Sequence, residues 1–222
     1  MISGLHAVTS GVQAEIWSDV VCPWCFIGKR RFEKAVASFG RPVEVVWRSY
    51  QLNPGAPALR EGSAVERIAR KYGIPREQAA AQYLRITNLA RVEGLDYHLE
   101  EARAGSSFDA HRLLHLARER GVQDAVKERF LAGYLEERVA IGLRDELAPL
   151  AVSGGLDALE VETVLAGDAY AAEVAADQER AIEIGITGVP FFLIEGRFAI
   201  PGAQDPATML AVLERAWQSH AG

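Results

Sequence analysis

Residues 14–26 read AEIWSDVVCPWCF, where an apolar segment leads directly into the dithiol sequence Cys22-Pro23-Trp24-Cys25. Residues 14–18 are predicted to form a short buried strand, and residues 26–39 carry apolar and basic side chains at helical spacing. A strand followed at once by a helix places the first sulfur over the helix N-terminus, where unpaired N–H groups and the helix dipole favour a thiolate. Pro23 suits the first helical position, because its missing N–H has no intrahelical partner there. The pattern predicts a reactive dithiol.

Three interpretations of these cysteines remain open from the residues alone. They are the only two in the chain, and free cysteines are often simply small buried hydrophobic residues. A CxxC pair also supplies half of a structural zinc site, but no second CxxC or Cys/His pair supplies the other two ligands. A CxxC at the start of a helix after a strand is typical of thioredoxin-like redox proteins. We favour redox chemistry and expect no metal.

Composition narrows the class of protein. The chain of 222 residues is long enough for one large domain or for a domain with a substantial insertion. With a net charge of −6, the chain has no excess of basic residues to bind a phosphate backbone, so nucleic acid is not an expected partner. No apolar stretch is long enough to cross a bilayer, so no membrane association is expected. Residues 1–13 lack a cationic start and a sustained apolar run, which predicts no signal peptide and a cytoplasmic location. The thiol pool there would keep the pair reduced and make any disulfide transient and catalytic.

The rest of the chain divides into three parts. A second strand is predicted over residues 43–50, which completes a β-α-β unit, and turn residues mark 51–62 as a loop. Alanine, leucine, glutamate and arginine then dominate up to Gly185, with helices predicted near 63–72, 75–93, 107–120, 122–140, 144–153, 157–166 and 168–185. Strand signals return at 189–194 and 198–200, followed by a helix over 206–219.

The ordered motifs resemble those of the thioredoxin superfamily and, more narrowly, of DsbA-like proteins of the FrnE type. Four stretches carry the resemblance: SDVVCPWCFIGKRR at 18–31, FDAHRLL at 108–114, GVPFF at 188–192 and GAQ at 202–204. It implies an α/β protein with a thioredoxin fold interrupted by a large all-helical insertion domain, and a dithiol at the mouth between them. The expected thioredoxin-like domain comprises residues 14–62 and 186–220. The inserted helical domain comprises 63–185, and its last helix is a candidate to pack on the sheet.

The resemblance also bears on Val189 and Pro190. Local sequence favours a trans bond between them, since cis X-Pro bonds are uncommon, whereas the resemblance implies a cis bond facing the two sulfurs. It further implies that the Val189 backbone pairs with an extended substrate and that Pro190 discourages metal capture. Related 2-hydroxychromene-2-carboxylate isomerases and kappa-class glutathione transferases carry serine where this chain has Cys22. Because both sulfurs are retained here, redox chemistry is expected.

These observations predict a cytoplasmic dithiol–disulfide oxidoreductase, with disulfide isomerase activity left open, that acts by way of a mixed disulfide. Cys22 is the expected nucleophile, with a lowered pKa and the more exposed sulfur; Cys25 resolves the mixed disulfide and Pro190 completes the site. No cofactor is expected beyond the redox-active disulfide, and glutathione is a candidate reductant or substrate. Expected partners are protein or small-molecule thiols and disulfides, and homodimerisation stays open. The alternatives are a glutathione-dependent isomerase or transferase and a non-catalytic binding module.

Other side chains receive weaker assignments. Candidate substrate contacts, besides the dithiol, are Pro23, Trp24, Val189, His111, Gln51 and Asn53. His111 and His115 share one helix face, where packed or hydrogen-bonded histidines are favoured over metal ligands. Asp19 is a candidate proton acceptor for Cys25 or a helix cap. Most of the basic residues 29–31 are expected to form a solvated helix face, with a role in favouring a nearby thiolate as the alternative. Trp47, Trp217 and Phe191-Phe192 are expected in the core, and Gln204 is a candidate ligand contact or turn residue.

Overall fold

The structure, a computed structural model, describes residues 11–219. A four-stranded sheet and nine α-helices make up this part of the chain. Their bounds are β1 Val12–Ser18, α1 Pro23–Phe39, β2 Val43–Ser49, α2 Ala64–Tyr72, α3 Arg76–Val92, α4 Phe108–Glu119, α5 Gln123–Leu135, α6 Arg144–Ser153, α7 Ala158–Ala166, α8 Ala171–Glu183, β3 Phe191–Ile194, β4 Phe198–Pro201 and α9 Pro206–Gln218. Residues 1–10 lie outside the described residues, and with them most of the N-terminal segment in which no signal peptide is predicted. Residue 220, the last of the predicted second thioredoxin segment, also lies outside them.

The sheet has the strand order β2-β1-β3-β4. Strands β1 and β2 are parallel, while β3 is antiparallel to both β1 and β4. Ile16 in the central strand lies opposite Trp47 on one side and Phe192 on the other. The parallel pair requires a crossover, which α1 supplies, and the last two strands are joined by a short hairpin. The predicted thioredoxin fold with a helical insertion is confirmed, because helices α2 to α8 lie in sequence between β2 and β3.

Helices cover both faces of the sheet. On one face, α1 and α9 bury Phe32, Phe192 and Met209 in a shared apolar cluster. On the other face, α8 packs against Trp17, whose indole Nε1 donates a hydrogen bond to the Asp177 carbonyl oxygen at 3.0 Å. The last helix before β3 therefore contacts the sheet directly.

Helix α1 is shared between the sheet and the helical block, by which we mean α2 to α7. Its first turns contribute Cys25, Phe26 and Ile27 to the apolar cluster of the helical block. Its later turns pack on the sheet. Helix α1 thus contributes to a separate apolar cluster on each side of the predicted domain limits, and those limits stay a prediction. None of the helices within residues 11–219 combines the length and the apolar character that a membrane crossing needs.

The charged face of α1 differs from its prediction. Lys29 is only 3 % exposed and forms ion pairs with Glu33, Asp124 and Glu128, whereas a solvated face was expected. Arg30 and Arg31 likewise pair with Glu128 and Glu93. The expectation of a solvated face is wrong because opposite charges on α5 and just after α3 meet these side chains. The cations attach the helical block to α1.

One helix ends earlier than its pattern predicted. Residues 122–140 were expected to be helical, but α5 ends at Leu135. Arg138 adopts a left-handed φ of 62°, and the Val139 N–H returns to the Gly133 carbonyl oxygen at 2.8 Å. This backbone reversal cannot continue a right-handed helix.

Candidate active site

The two cysteines lie at the first turn of α1. Cys22 is the N-cap residue, its N–H bonds to the Asp19 carbonyl oxygen at 3.2 Å, and the Cys25 N–H bonds to the Cys22 carbonyl oxygen at 3.0 Å. Both thiols are free. Cys22 is 4 % exposed, whereas Cys25 is completely buried. Cys22 is therefore the sulfur that a substrate can reach, as expected from its place at the helix start.

The two thiols ionise as a coupled pair. Burial acts to raise the pKa for the first ionisation of the pair, but the hydrogen bond between the sulfurs and the positive charge of Lys127 outweigh it and lower that pKa. Because the two sulfurs share one proton, this ionisation belongs to the pair. The lowered pKa expected at Cys22 itself stays a prediction.

Val189 and Pro190 face the dithiol, as the resemblance implied. The Val189-Pro190 peptide bond is cis. The Val189 carbonyl oxygen lies 3.7 Å from the Cys22 sulfur and accepts its hydrogen bond. Pro190 is buried, and its carbonyl oxygen accepts the Gly202 N–H at 2.8 Å. The loop before β3 is therefore in contact with the more exposed sulfur.

Gly28 allows this close approach, and the sequence argument did not single it out. A Cβ atom at this position would lie 2.8 Å from the Pro190 Cγ, which is closer than two carbon atoms can approach. The available signal was a glycine inside a predicted helix, where glycine is unfavourable unless packing requires it. Gly28 thus sets the distance between α1 and the loop before β3.

Gly28→Ala should lower both stability and exchange activity. A Gly→Ala change inside a helix normally stabilises it by up to about 1 kcal/mol, but here the added methyl group displaces the rigid Pro190 ring. We expect the free energy of unfolding to fall by about 1–3 kcal/mol and dithiol exchange to slow by roughly 10-fold, because misplaced reacting groups lose rate steeply. Denaturant unfolding and exchange kinetics measure the two effects.

Gly133→Ala is the matched control. The three atoms nearest to a Cβ there all belong to the side chain of Leu150 and none to the loop before β3. It should cost stability without a specific loss of exchange activity. A Gly28→Ala protein with unchanged exchange rates would refute the spacing role.

A cavity of about 530 Å³ lies next to the CPWC turn and is lined by Trp24 of that turn, although neither cysteine is among its lining residues. Trp24, which is 38 % exposed, forms one wall, and the segments before β3 and after β4 form the rest, including Ile186, Val189, Pro190, Phe191, Pro201 and Ala203. The resemblance implied a mouth between the two domains, whereas this cavity is lined by Trp24 and by the loops at the end of the sheet. Its largely apolar walls suit an extended apolar segment.

Pro23 is half-buried, and its contact is internal. The Tyr97 hydroxyl donates to the Pro23 carbonyl oxygen at 2.7 Å, and the Tyr97 ring stacks on Phe26 with centroids 6.3 Å apart. Burial raises the pKa of Tyr97 far above its ordinary value, so the hydroxyl remains a donor. Tyr97 holds the first turn of α1 from the helical block; nothing in its local sequence marked it.

Asp19 lies behind the dithiol and neither caps α1 nor faces solvent. It is fully buried; its Oδ2 accepts the Leu52 N–H at 2.8 Å, and its Oδ1 lies 3.3 Å from His111 Nε2. Burial acts to raise the pKa of Asp19, but the hydrogen bonds from His111 and Leu52 outweigh it and lower that pKa. Burial lowers the pKa of His111. Neutral His111 therefore donates to ionised Asp19.

Three of the expected substrate contacts lie elsewhere. His111 is completely buried, so the structure does not place it in an open cleft. Gln51 is also buried, and its N–H bonds to the Gln178 Oε1 at 3.2 Å. Asn53 is exposed and accepts the Ala56 N–H in a turn. None of the three lines the cavity beside Trp24.

The other side chains assigned from sequence have structural contacts. His115 Nε2 lies 3.2 Å from Asp177 Oδ2, so the two helical histidines hydrogen-bond to different carboxylates, as the favoured interpretation predicted. The Gln204 side chain donates to the Pro201 carbonyl oxygen at 2.8 Å, which is a turn contact. Trp47 and Phe192 are core residues as expected, but Phe191 is half-buried and lines the cavity.

Comparisons with known proteins agree with this geometry. The model of the DSBA-like thioredoxin domain family matches residues 13–214. A probable DsbA oxidoreductase from Streptomyces coelicolor is 43% identical, with a TM-score of 0.89 over 93% of this chain and 90% of that chain. The uncharacterized protein YwbO of Bacillus subtilis (strain 168) is 30% identical over 198 residues, which cover 86% of this chain and 90% of YwbO. The cytosolic disulfide reductase DsbM from Pseudomonas aeruginosa is similar in fold, at 19% identity and a TM-score of 0.63 over 93% of this chain and 99% of DsbM.

Proposed function

The chain belongs to the family of DSBA-like thioredoxin domains, and on that premise we propose that Cys22 and Cys25 are the redox-active pair of a thiol–disulfide oxidoreductase. One observation carries the proposal. The free thiol of Cys22 lies at a helix start, 3.7 Å from the carbonyl oxygen of Val189, and Val189 together with Trp24 lines an open apolar cavity. A buried partner sulfur lies one helical turn behind it. A structural pair of cysteines needs no such access.

The burial of the two sulfurs suggests their order of action. In the reduced pair, the shared proton moves to Cys25 as Cys22 attacks a substrate disulfide. A bond forms between Cys22 and one substrate sulfur, the substrate S–S bond breaks, and the other substrate sulfur leaves as a thiolate. Cys25 then loses its proton and attacks the Cys22 sulfur, which releases the second substrate thiolate. Two electrons and the one shared proton leave the dithiol, the second proton needed to make two substrate thiols comes from solvent, and the reverse sequence oxidises a substrate dithiol.

The proposal also extends to the class of substrate and to the cellular compartment in which the protein acts. Cys22 is only 4 % exposed, so a bulky folded surface cannot approach it closely, whereas an extended peptide or a small disulfide can. Glutathione fits as a small thiol, and DsbM, a relative in fold, has been described with glutathione bound. We propose action in the cytoplasm, where the dithiol would be kept mainly reduced. The Val189 backbone and the Trp24 wall would orient the substrate chain.

A redox titration tests the proposal. The full chain is equilibrated in glutathione buffers of graded potential, and free thiols are trapped by alkylation and counted by mass. We expect one two-electron transition in which both cysteines change together, together with catalysed reduction of a small-molecule disulfide. A potential near that of thioredoxin, about −270 mV, would indicate a reductase, and a more oxidising one an oxidase or isomerase.

The outcome also separates the alternatives. If the two sulfurs never form a disulfide and no exchange is catalysed, the oxidoreductase proposal is overturned. Conversion of an electrophile with glutathione by the Cys25→Ser protein, without disulfide exchange in the unchanged protein, would instead support a glutathione-dependent isomerase or transferase. Unaltered function after both cysteines are replaced would support a binding module.

A further inference from the structure

Trp24, Gly28 and Arg31 lie on one side of α1, because residues three or four positions apart are neighbours on a helix surface. Trp24 lines the cavity next to the CPWC turn, and Gly28 is where the Pro190 ring approaches the helix. Arg31 follows one turn later, and its Nη1 donates a hydrogen bond to the carbonyl oxygen of Ala203 at 2.7 Å. This side of α1 therefore contacts both loops that line the cavity, the loop before β3 and the loop after β4.

Ala203 belongs to the segment after β4, which forms part of the cavity wall. Gly202 turns the chain there with a left-handed φ of 74°, and its N–H bonds to the Pro190 carbonyl oxygen at 2.8 Å. The Ala203 side chain packs against the apolar cluster of the helical block. Of these contacts, the bond from Arg31 is the one made by a charged group, and such bonds are roughly twice as strong as neutral ones. Arg31 is thus a main anchor of this part of the wall.

Glu93, at the C-terminal end of α3, holds the Arg31 guanidinium in place. Its Oε1 accepts the Arg31 Nε–H at 2.7 Å, and its Oε2 accepts a hydrogen bond from the Lys34 Nζ at 2.6 Å. The Glu93 side chain is 6 % exposed and that of Arg31 18 %, whereas that of Lys34 is 53 % exposed. Burial acts to raise the pKa of Glu93, but the hydrogen bonds from Lys34 and Arg31 outweigh it and lower that pKa. Arg31 therefore bonds to an ionised group of the helical block and to the cavity wall at the same time.

We propose that Arg31 is a positioning residue that fixes the Ala203 wall of the cavity and thereby determines how well an extended peptide disulfide binds there. The proposal rests on the proposed function, because it assigns a substrate class to the same site. The contact with Cys22 is made by Val189. Arg31 acts on a different segment of the cavity lining, at Ala203. A peptide chain that continues along the cavity can contact this wall, whereas a disulfide small enough to lie at the sulfur alone gains little from it.

The experiment compares Arg31→Met with the unchanged full chain, using two disulfides. One is bis(2-hydroxyethyl) disulfide, and the other is a short apolar peptide whose single cysteine is joined to 2-mercaptoethanol by a disulfide. Each is mixed over a range of concentrations with pre-reduced protein, and the thiols released are counted by mass against time. For Arg31→Met we expect the preference for the peptide, given as the ratio of the two second-order rate constants, to fall by roughly 10-fold. Most of this fall should lie in the peptide concentration that half-saturates the reaction, because the reacting sulfurs keep their own contacts.

Lys34→Met is the matched control. It removes the other cation bound to Glu93 but leaves the bond between Arg31 and the Ala203 carbonyl oxygen. It should change the ratio by less than about 2-fold, because Lys34 forms an exposed ion pair of little energetic weight. Glu93→Gln keeps an oxygen that accepts the Arg31 Nε–H and removes the charge, so it should lower the ratio by an intermediate amount. This variant tests the inference if Arg31→Met does not fold.

An unmoved ratio in Arg31→Met, or an equal fall in Lys34→Met, would overturn the inference. A binding measurement separates this outcome from failure of the proposed function. Calorimetry measures how tightly the peptide, with serine in place of its cysteine, binds the protein carrying Cys22→Ser and Cys25→Ser, with and without Arg31→Met. If the unchanged protein carries out no exchange but Arg31→Met weakens this binding by roughly 10-fold, the proposed function fails and the positioning role stands. If exchange occurs and neither the ratio nor the binding depends on Arg31, the inference alone fails.

Discussion

Cys22→Ser should abolish dithiol–disulfide exchange, with a loss of roughly 10³-fold or more, as when an enzyme loses its nucleophile. Serine can neither form a disulfide nor present a thiolate. Cys25 cannot substitute for it, because its sulfur is completely buried and a substrate disulfide cannot approach it in line. Exchange with a small-molecule disulfide, followed by the release of its coloured thiol, measures the loss.

Folding must be measured alongside this loss. Sulfur and oxygen differ little in size, so Cys22→Ser should change the free energy of unfolding by less than about 1.5 kcal/mol, and urea unfolding provides the check. If the folded Cys22→Ser protein kept a substantial part of the exchange rate, Cys25 would be the attacking sulfur and the proposed order would be reversed.

Cys25→Ser should stop turnover at a different step, by accumulating a covalent adduct on Cys22. Attack by Cys22 remains possible, but the sulfur that would break the mixed disulfide is gone. The first attack should also be slower than in the unchanged protein, because Cys25 no longer accepts the proton of Cys22. Mass spectrometry after incubation with glutathione disulfide should show an adduct of one glutathione on each chain.

The doubly substituted protein, Cys22→Ser with Cys25→Ser, is the control and should carry no adduct. Full turnover by Cys25→Ser would mean that an external thiol, not Cys25, resolves the mixed disulfide. Similar residual rates in the two single variants would contradict separate roles for the two sulfurs.

Local sequence was sufficient for most of the secondary structure. The end of β1, the proline at the first position of α1 and the strand pair after Gly185 are short-range patterns. The overextended helix at 122–140 failed because its end depends on a left-handed Arg138, a conformation that arginine rarely adopts. The contact of Gly28 with Pro190 joins residues more than 160 positions apart. The sequence alone therefore could not predict this contact, and its one signal was a glycine inside a predicted helix.

The chain's order of motifs determined its fold class and its reactive pair, because a CxxC after a strand and before a helix needs only neighbouring residues to be recognised. The ionisation of that pair depends on the tertiary structure. The helix start alone predicted a thiolate at Cys22, whereas in the folded protein the two sulfurs share one proton and the charge of the buried Lys127 favours their first ionisation. Burial and charges from distant segments set pKa values, and these depend on how the helical block packs on α1.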